Sequence, residues 1–462
     1  MKTGGLDMKK KISVILSMLV LCCLLITAAA PASAISYKNK IKLRSEAALV
    51  VDKQTGQEIF SVNADKKMYP ASTTKIMTYT VVADWLGKTL NGKKITLKPE
   101  IPIKQEVLSI LDGTGSSIAN VQAHEGEKMT VLDLLYSMMV PSGNDAAVVL
   151  ADYFGSGSIP KFVEMMNNKA KELGCKNTHF ANPDGLHDPD HYTTAIDLMK
   201  MTQNALTLPE FAKITNTDTY YVMDDDYPLV TTNYMIDVNR GGDYYYQYAQ
   251  GIKTGTTDEA GHCLVTMGVA DGNSFIAVLL NSPIKDPDEY GTMYDAADLF
   301  RWALTSFETG RVLSAETPIC EVHVNEAMEN SDLMLVPEKN VNAVVPKDFK
   351  KSDIEVVPDI PSSIEAPVEK GDIVGKAKIY YKGKQVDKKQ QIGEVNLVAS
   401  DSVERSGFLH AGSVFKDITS QMWFIIIIAG IILLLVLYIV ISTIISRRNK
   451  KRKRSVRRYR NF

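Results

Sequence analysis

Residues 423–445 run from Trp423 to Ile445 without a charged side chain, and as a helix rising 1.5 Å per residue they extend about 34 Å, enough to cross a bilayer. Residues 447–462 then hold ten Lys or Arg and no acid, a bias that keeps the tail in the cytoplasm. Everything before the apolar run is thereby expected outside the cell. The other end agrees. Lys9, Lys10 and Lys11 precede an apolar run from Ile12 to Ala30, and Pro31-Ala32-Ser33-Ala34 supplies small residues for cleavage, so residues 1–34 read as a cleaved secretory signal. Leu21 before Cys22 is too bulky for a lipoprotein processing box, and no L-P-x-T-G precedes the second apolar run.

The formal net charge of -2 conceals an uneven distribution. Between residues 35 and 446 stand 38 basic and 53 acidic residues, so this part is not a nucleic-acid binder, which needs a basic surface. Cys175, Cys263 and Cys320 remain after the signal. An odd number cannot form a complete disulfide framework, and Cys263 reads as a small apolar core residue.

Periodicity divides the exported part. Leu49-Val50-Val51 and Glu58-Ile59-Phe60 flank a turn at Lys53-Gln54-Thr55-Gly56, a hairpin pattern. Helices are expected over 72–86, from Thr130 with Asp133 as its capping acid, over 145–153, 161–173 and 193–205, and over 294–307. Strands are expected at 251–257, 263–269 and 275–280, the last two joined at Asp271-Gly272-Asn273. Strands at both ends with helices between them argue an α+β fold, a sheet covered by helices. From 315 to about 400, alternating apolar residues and repeated prolines argue a small all-β domain, and 401–422 a polar linker to the membrane. No internal repeat is present.

Ser72-Thr73-Thr74-Lys75 puts a hydroxyl and an amine one helical turn apart, where the amine can take the hydroxyl proton. The same spacing recurs at Ser158/Lys161, Ser282/Lys285 and Ser413/Lys416, against about one or two expected by chance. Context separates them. Ser158 reads as a helix cap, Ser282 precedes Pro283, and Ser413 lies near the membrane, whereas Ser72 opens a strongly apolar helix whose burial would lower a lysine pKa. Ser142-Gly143-Asn144, 70 residues on, offers a relay hydroxyl and an orienting amide between two helices. Lys253-Thr254-Gly255, a further 111 residues on, lies on an expected strand; its cation can draw a carboxylate, and Gly255 leaves room for a peptide added as a strand. The ordered trio is the S-x-x-K, S-x-N, K-T-G set of penicillin-interacting serine enzymes.

With Tyr69–Thr78, Met139–Ala146 and Asn177–Leu186 added, residues 45–310 resemble the low-molecular-mass penicillin-binding proteins that act as D-alanyl-D-alanine carboxypeptidases. Residues 315–398, especially Ala366-Pro367-Val368-Glu369-Lys370-Gly371, resemble the β-rich domain that follows in many members. The resemblance implies a β-lactamase/transpeptidase-like fold and an acyl-enzyme on Ser72 formed from a peptidoglycan stem peptide ending in D-Ala-D-Ala. It implies Lys75 as general base, Ser142 as proton relay and Asn144 as a hold on the substrate amide. Lys253 and Thr254 would bind the terminal carboxylate, helped by Arg240, while the N–H groups of Ser72 and Thr256 form the oxyanion hole. β-Lactams would be trapped on Ser72, and no cofactor or metal is implied. Many relatives attach by an amphipathic C-terminal helix; here the segment spans.

Other readings use the same residues. A β-lactamase of class A needs a deacylating glutamate, and 177–191 contains none. Transpeptidase or endopeptidase action differs only in the acyl acceptor. A β-lactam sensor or wall scaffold would not need the intact Ser72, Lys75, Ser142 and Lys253. His187-Asp188-Pro189-Asp190-His191 lacks the third ligand of a zinc site, and Asp224-Asp225-Asp226 lacks the spacing of a calcium loop. Tyr244, Tyr245, Tyr246 and Tyr248 either line the substrate groove or pack beside the Lys253 strand.

Overall fold

The computed structural model describes residues 37–90, 92–222, 228–286, 289–329 and 331–458. Residues 1–34, expected as a signal, and Asp224–Asp226 lie outside them. The chain divides into two compact units. The first comprises the residues up to Leu313 together with 341–357 and 378–394; the second holds 314–340, 358–377 and 395–462.

In the first unit β1 (Ala47–Asp52) and β2 (Glu58–Val62) form the expected hairpin. Its turn is fixed by the buried Asp52 carboxylate, which accepts from Thr55 N at 2.7 Å and Thr55 Oγ1 at 2.6 Å. A 3-10 turn at Ala71–Thr74 leads into α1 (Lys75–Ala83). Next come α2 (Val131–Met139), α3 (Asn144–Phe154), α4 (Ile159–Glu172) and α5 (Ala195–Ala205). Local chemistry sets their starts: Thr130 accepts from Asp133 N, Ser158 from Lys161 N and Thr194 from Asp197 N, as N-caps do.

Then β3 (Ala249–Thr257), β4 (Gly261–Ala270) and β5 (Asn273–Ser282) precede α6 (Gly291–Ser306). The five strands make one antiparallel sheet in the order β2-β1-β5-β4-β3, so the first strands of the unit close onto the last and β3 lies at an edge. The central strands are apolar at nearly every position because both faces are covered. Leu49, Val51, Val265, Met267, Val278 and Leu280 join the core that includes α1, α2, α3 and α5. Ala48, Val50, Ala277 and Leu279 are buried on the other face, where α6 packs. Asp295 on α6 ties down the chain entering β1, accepting from Ser45 N and Ser45 Oγ, each at 2.7 Å.

In the second unit β6 (Cys320–Asn325) pairs antiparallel with β7 (Asp332–Pro337) and parallel with β8 (Ser363–Glu365); Leu397–Ala399 add to β7. Val322, Val324, Leu333 and Leu335 alternate into the core of these strands. The stretch expected as a polar linker carries α7 (Gly407–Ser420), capped by Ser406. Glu326 holds it in place, accepting from Ser413 Oγ and lying 2.6 Å from His410 Nδ1. α8 (Met422–Arg458) follows, and its Met422–Asn449 portion is long and apolar enough to cross a membrane.

Candidate active site

Ser72 does not begin an α-helix, as its sequence suggests, but sits in the 3-10 turn before α1. In that tighter winding residues i and i+3 eclipse, and the Lys75 Nζ to Ser72 Oγ distance is 2.8 Å. The turn lies close against β3. A Cβ on Gly255 would stand 2.9 Å from Ser72 N and 3.0 Å from Pro70 O. Gly255 therefore makes room for the serine's own backbone, a different reason from the space for a peptide inferred from sequence. Gly185, at φ +89°, faces the same turn, where a Cβ would lie 2.0 Å from Ala71 O.

Lys75 is fully buried and has three acceptors: Ser72 Oγ, Asn144 Oδ1 at 2.5 Å and the Asp184 carbonyl at 2.8 Å. An ammonium fills all three with its three protons. A neutral amine keeps two donors for Asn144 and Asp184, which cannot donate from those oxygens, and turns its lone pair to the Ser72 hydroxyl. Burial lowers the Lys75 pKa to about 8, against the opposing pull of the Asp184 and Asp145 carboxylates. The neutral form is thus accessible near physiological pH. Ser72 Oγ also lies 3.4 Å from the Asp184 carbonyl.

Ser142 occupies the connection between α2 and α3 at φ +65°, a left-handed conformation that costs a non-glycine residue about 1–3 kcal/mol. The connection is pinned on both sides. Asn144 N donates to Ser117 O at 2.9 Å, and the buried Asp145 carboxylate accepts from the N–H groups of Ala119, Val121 and Ala146.

Lys253 on β3 is buried, with Nζ 3.1 Å from Thr254 O. Burial and then repulsion from Lys75 push its pKa well down. Thr254 Oγ1 meets Thr232 Oγ1 at 2.5 Å, and Thr256 Oγ1 lies 3.0 Å from His262 Nδ1. A cavity of about 410 Å³ is lined by Ser72, Ser142, Arg240, Thr254, Gly255 and Thr256 among others. Arg240, 13 residues before Lys253 in sequence, is aimed by Asp237 Oδ2 at 2.6 Å and Thr231 O at 2.7 Å.

Several contributors carry no residue-type signal. The Asp184 carbonyl is a backbone group 109 residues from Lys75. Thr232 and His262 are ordinary strand or loop residues by sequence. Of the four tyrosines, Tyr244 takes a supporting role: Tyr234 and Tyr290 line the cavity, and Tyr244 packs against both, at 6.2 and 5.7 Å between centroids. His191 is buried beside Thr74 Oγ1 at 2.8 Å, its pKa pushed down to about 4 chiefly by burial. His187 packs edge-on to Tyr69 at 4.7 Å. Cys263, also buried, behaves as the apolar filler expected, with burial pushing its thiol up to about 12.

Residues 32–283 match the family model described as D-alanyl-D-alanine carboxypeptidase. The chain belongs to the D-alanyl-D-alanine carboxypeptidase family. Residues 307–405 match a second model, the C-terminal domain of penicillin-binding protein 5. Among carboxypeptidases of this family, DacF of Bacillus subtilis is 29% identical over 374 residues, covering 80% of this chain and 89% of that protein. The D-alanyl-D-alanine carboxypeptidase of Streptomyces sp. strain K15 is 31% identical over 270 residues, 56% of this chain and 88% of its own. The crystal structure of penicillin-binding protein 5 from Haemophilus influenzae superposes with a TM-score of 0.64 at 27% identity, covering 80% of this chain and all of that one. The expected architecture, a transpeptidase-like sheet and helices followed by strands and an apolar C-terminal helix, is borne out.

Proposed function

We propose that the chain is a serine-type D-alanyl-D-alanine carboxypeptidase that trims peptidoglycan stem peptides, with Ser72 as the acylated residue. The observation that carries this reading is the buried Lys75 amine, 2.8 Å from the Ser72 hydroxyl and held by two acceptors that orient its lone pair. Neutral Lys75 takes the Ser72 proton as Oγ attacks the carbonyl carbon of the penultimate D-alanine. The oxyanion is held by the N–H groups of Ser72 and Thr256, each such donor contributing about 3 kcal/mol in other serine hydrolases. The C–N bond breaks, and the departing D-alanine receives its proton through Ser142. Water then attacks the ester and frees Ser72. Asn144 holds the substrate amide through Nδ2, since its Oδ1 serves Lys75. Lys253, Thr254 and Arg240 receive the terminal carboxylate, with Gly255 keeping β3 close to the serine. A β-lactam acylates the same hydroxyl and stays.

The remaining arrangement is part of the proposal. Residues 1–34 are a cleaved signal, 35–314 the peptidase domain and 315–400 a β-rich domain that follows it; 401–422 adjoin the membrane, 423–446 span it and 447–462 remain in the cytoplasm. The enzyme then faces the wall, where stem-peptide trimming bears on peptidoglycan synthesis and cell shape. The test incubates the full chain in detergent with diacetyl-L-Lys-D-Ala-D-Ala and measures D-alanine. Release that Ser72→Ala abolishes is expected; release that survives this substitution contradicts the assignment. A solved structure of the K15 relative is described as a DD-transpeptidase, at 29% identity and a TM-score of 0.50, so an amine acceptor added to the same assay separates hydrolysis from transfer.

A further inference from the structure

A second cavity in the first unit, of about 390 Å³, is lined by Lys66, Lys67, Tyr69, Tyr192, Glu259 and Ala260 among others. Three segments that build the Ser72 site continue into it. The chain entering Ser72 supplies Lys66–Tyr69, the segment carrying the Asp184 carbonyl supplies Tyr192, and the turn after β3 supplies Glu259 and Ala260. His187 touches the rim residues, its ring edge-on to Tyr69 and its Nδ1 3.7 Å from the Glu259 carboxylate.

Strand direction links this cavity to the chemistry. With the terminal carboxylate at Lys253 and Thr254 and the scissile carbonyl at Thr256, a peptide added along β3 runs antiparallel to it. Its residues before the scissile bond proceed past Thr257 at about 3.3 Å each, toward the turn that carries Glu259. The charges there are unequally used. Lys66 is paired with Glu46, and Lys67 Nζ sits 4.0 Å from the centre of the Tyr192 ring. Glu259 is 46% exposed and faces His187 from beyond hydrogen-bond distance. A half-exposed carboxylate can pair with an arriving cation, while the Tyr192 face is already taken by Lys67.

We propose that this cavity receives the side chain of the residue preceding D-Ala-D-Ala, and that Glu259 favours one ending in a free ammonium. The proposal rests on the reading of the Ser72 site given above. The test compares Nα-acetyl-L-Lys-D-Ala-D-Ala with its Nα,Nε-diacetyl form on the detergent-solubilised full chain. The free-amine peptide is expected to have the higher kcat/KM by about fivefold, the scale of a partly exposed ion pair. Glu259→Gln should erase that ratio while leaving turnover of the diacetylated peptide and penicillin labelling unchanged. Equal turnover of both peptides by the native chain, or a ratio that survives Glu259→Gln, overturns the proposal alone. Release of D-alanine from neither peptide overturns the Ser72 reading and this proposal with it.

Discussion

At the scale of single residues the site turns on how many protons Lys75 carries. With its pKa lowered to about 8 by burial, the amine gains its lone pair as pH rises through that value, so acylation should accelerate from pH 6 to 9 and level off above. Stopped-flow penicillin binding across that range measures it. Asp184 holds the lysine pKa up, and its Oδ1 accepts from Leu186 N, a bond asparagine can keep. Asp184→Asn should therefore move the midpoint below 8 without unfolding the chain. The pairing of Ser72 with Lys75 was legible because both lie in one short motif. The third partner was not, since a carbonyl is present at every residue and only the fold selects Asp184.

Elements explain why that geometry is held. The Ser72 turn is pressed between β3 and the 184–192 segment, and two positions without side chains allow it. Gly185→Ala combines a left-handed φ with a contact to the Ala71 carbonyl, so a loss of about 2 kcal/mol or more is expected, read as a lower melting temperature together with weakened penicillin labelling. Thr130→Ala removes only a helix cap and should cost about 1 kcal/mol with labelling intact. Helix and strand positions were readable within a few residues, because α2 and α4 announce their caps and β1, β4 and β5 their apolar runs. The 3-10 turn at Ala71–Thr74, the left-handed Ser142 and helix α7 were not, since each depends on neighbours distant in sequence, such as Glu326 for α7.

At the scale of the whole molecule the sheet joins segments that the sequence keeps far apart, pairing β1 with β5 and bringing Ser72 beside Gly255. The order of the three motifs announced such a meeting, whereas the strand order β2-β1-β5-β4-β3 rests on pairing that no local pattern encodes. A chain ended at Gln421 loses the apolar helix and should pass from the membrane to the soluble fraction on cell fractionation while still releasing D-alanine. The account as a whole stands on one covalent bond. Peptide mapping of the chain after reaction with penicillin, by mass spectrometry, is predicted to place the adduct on Ser72, with none formed in Ser72→Ala. An adduct on any other residue, or undiminished labelling of Ser72→Ala, would contradict it.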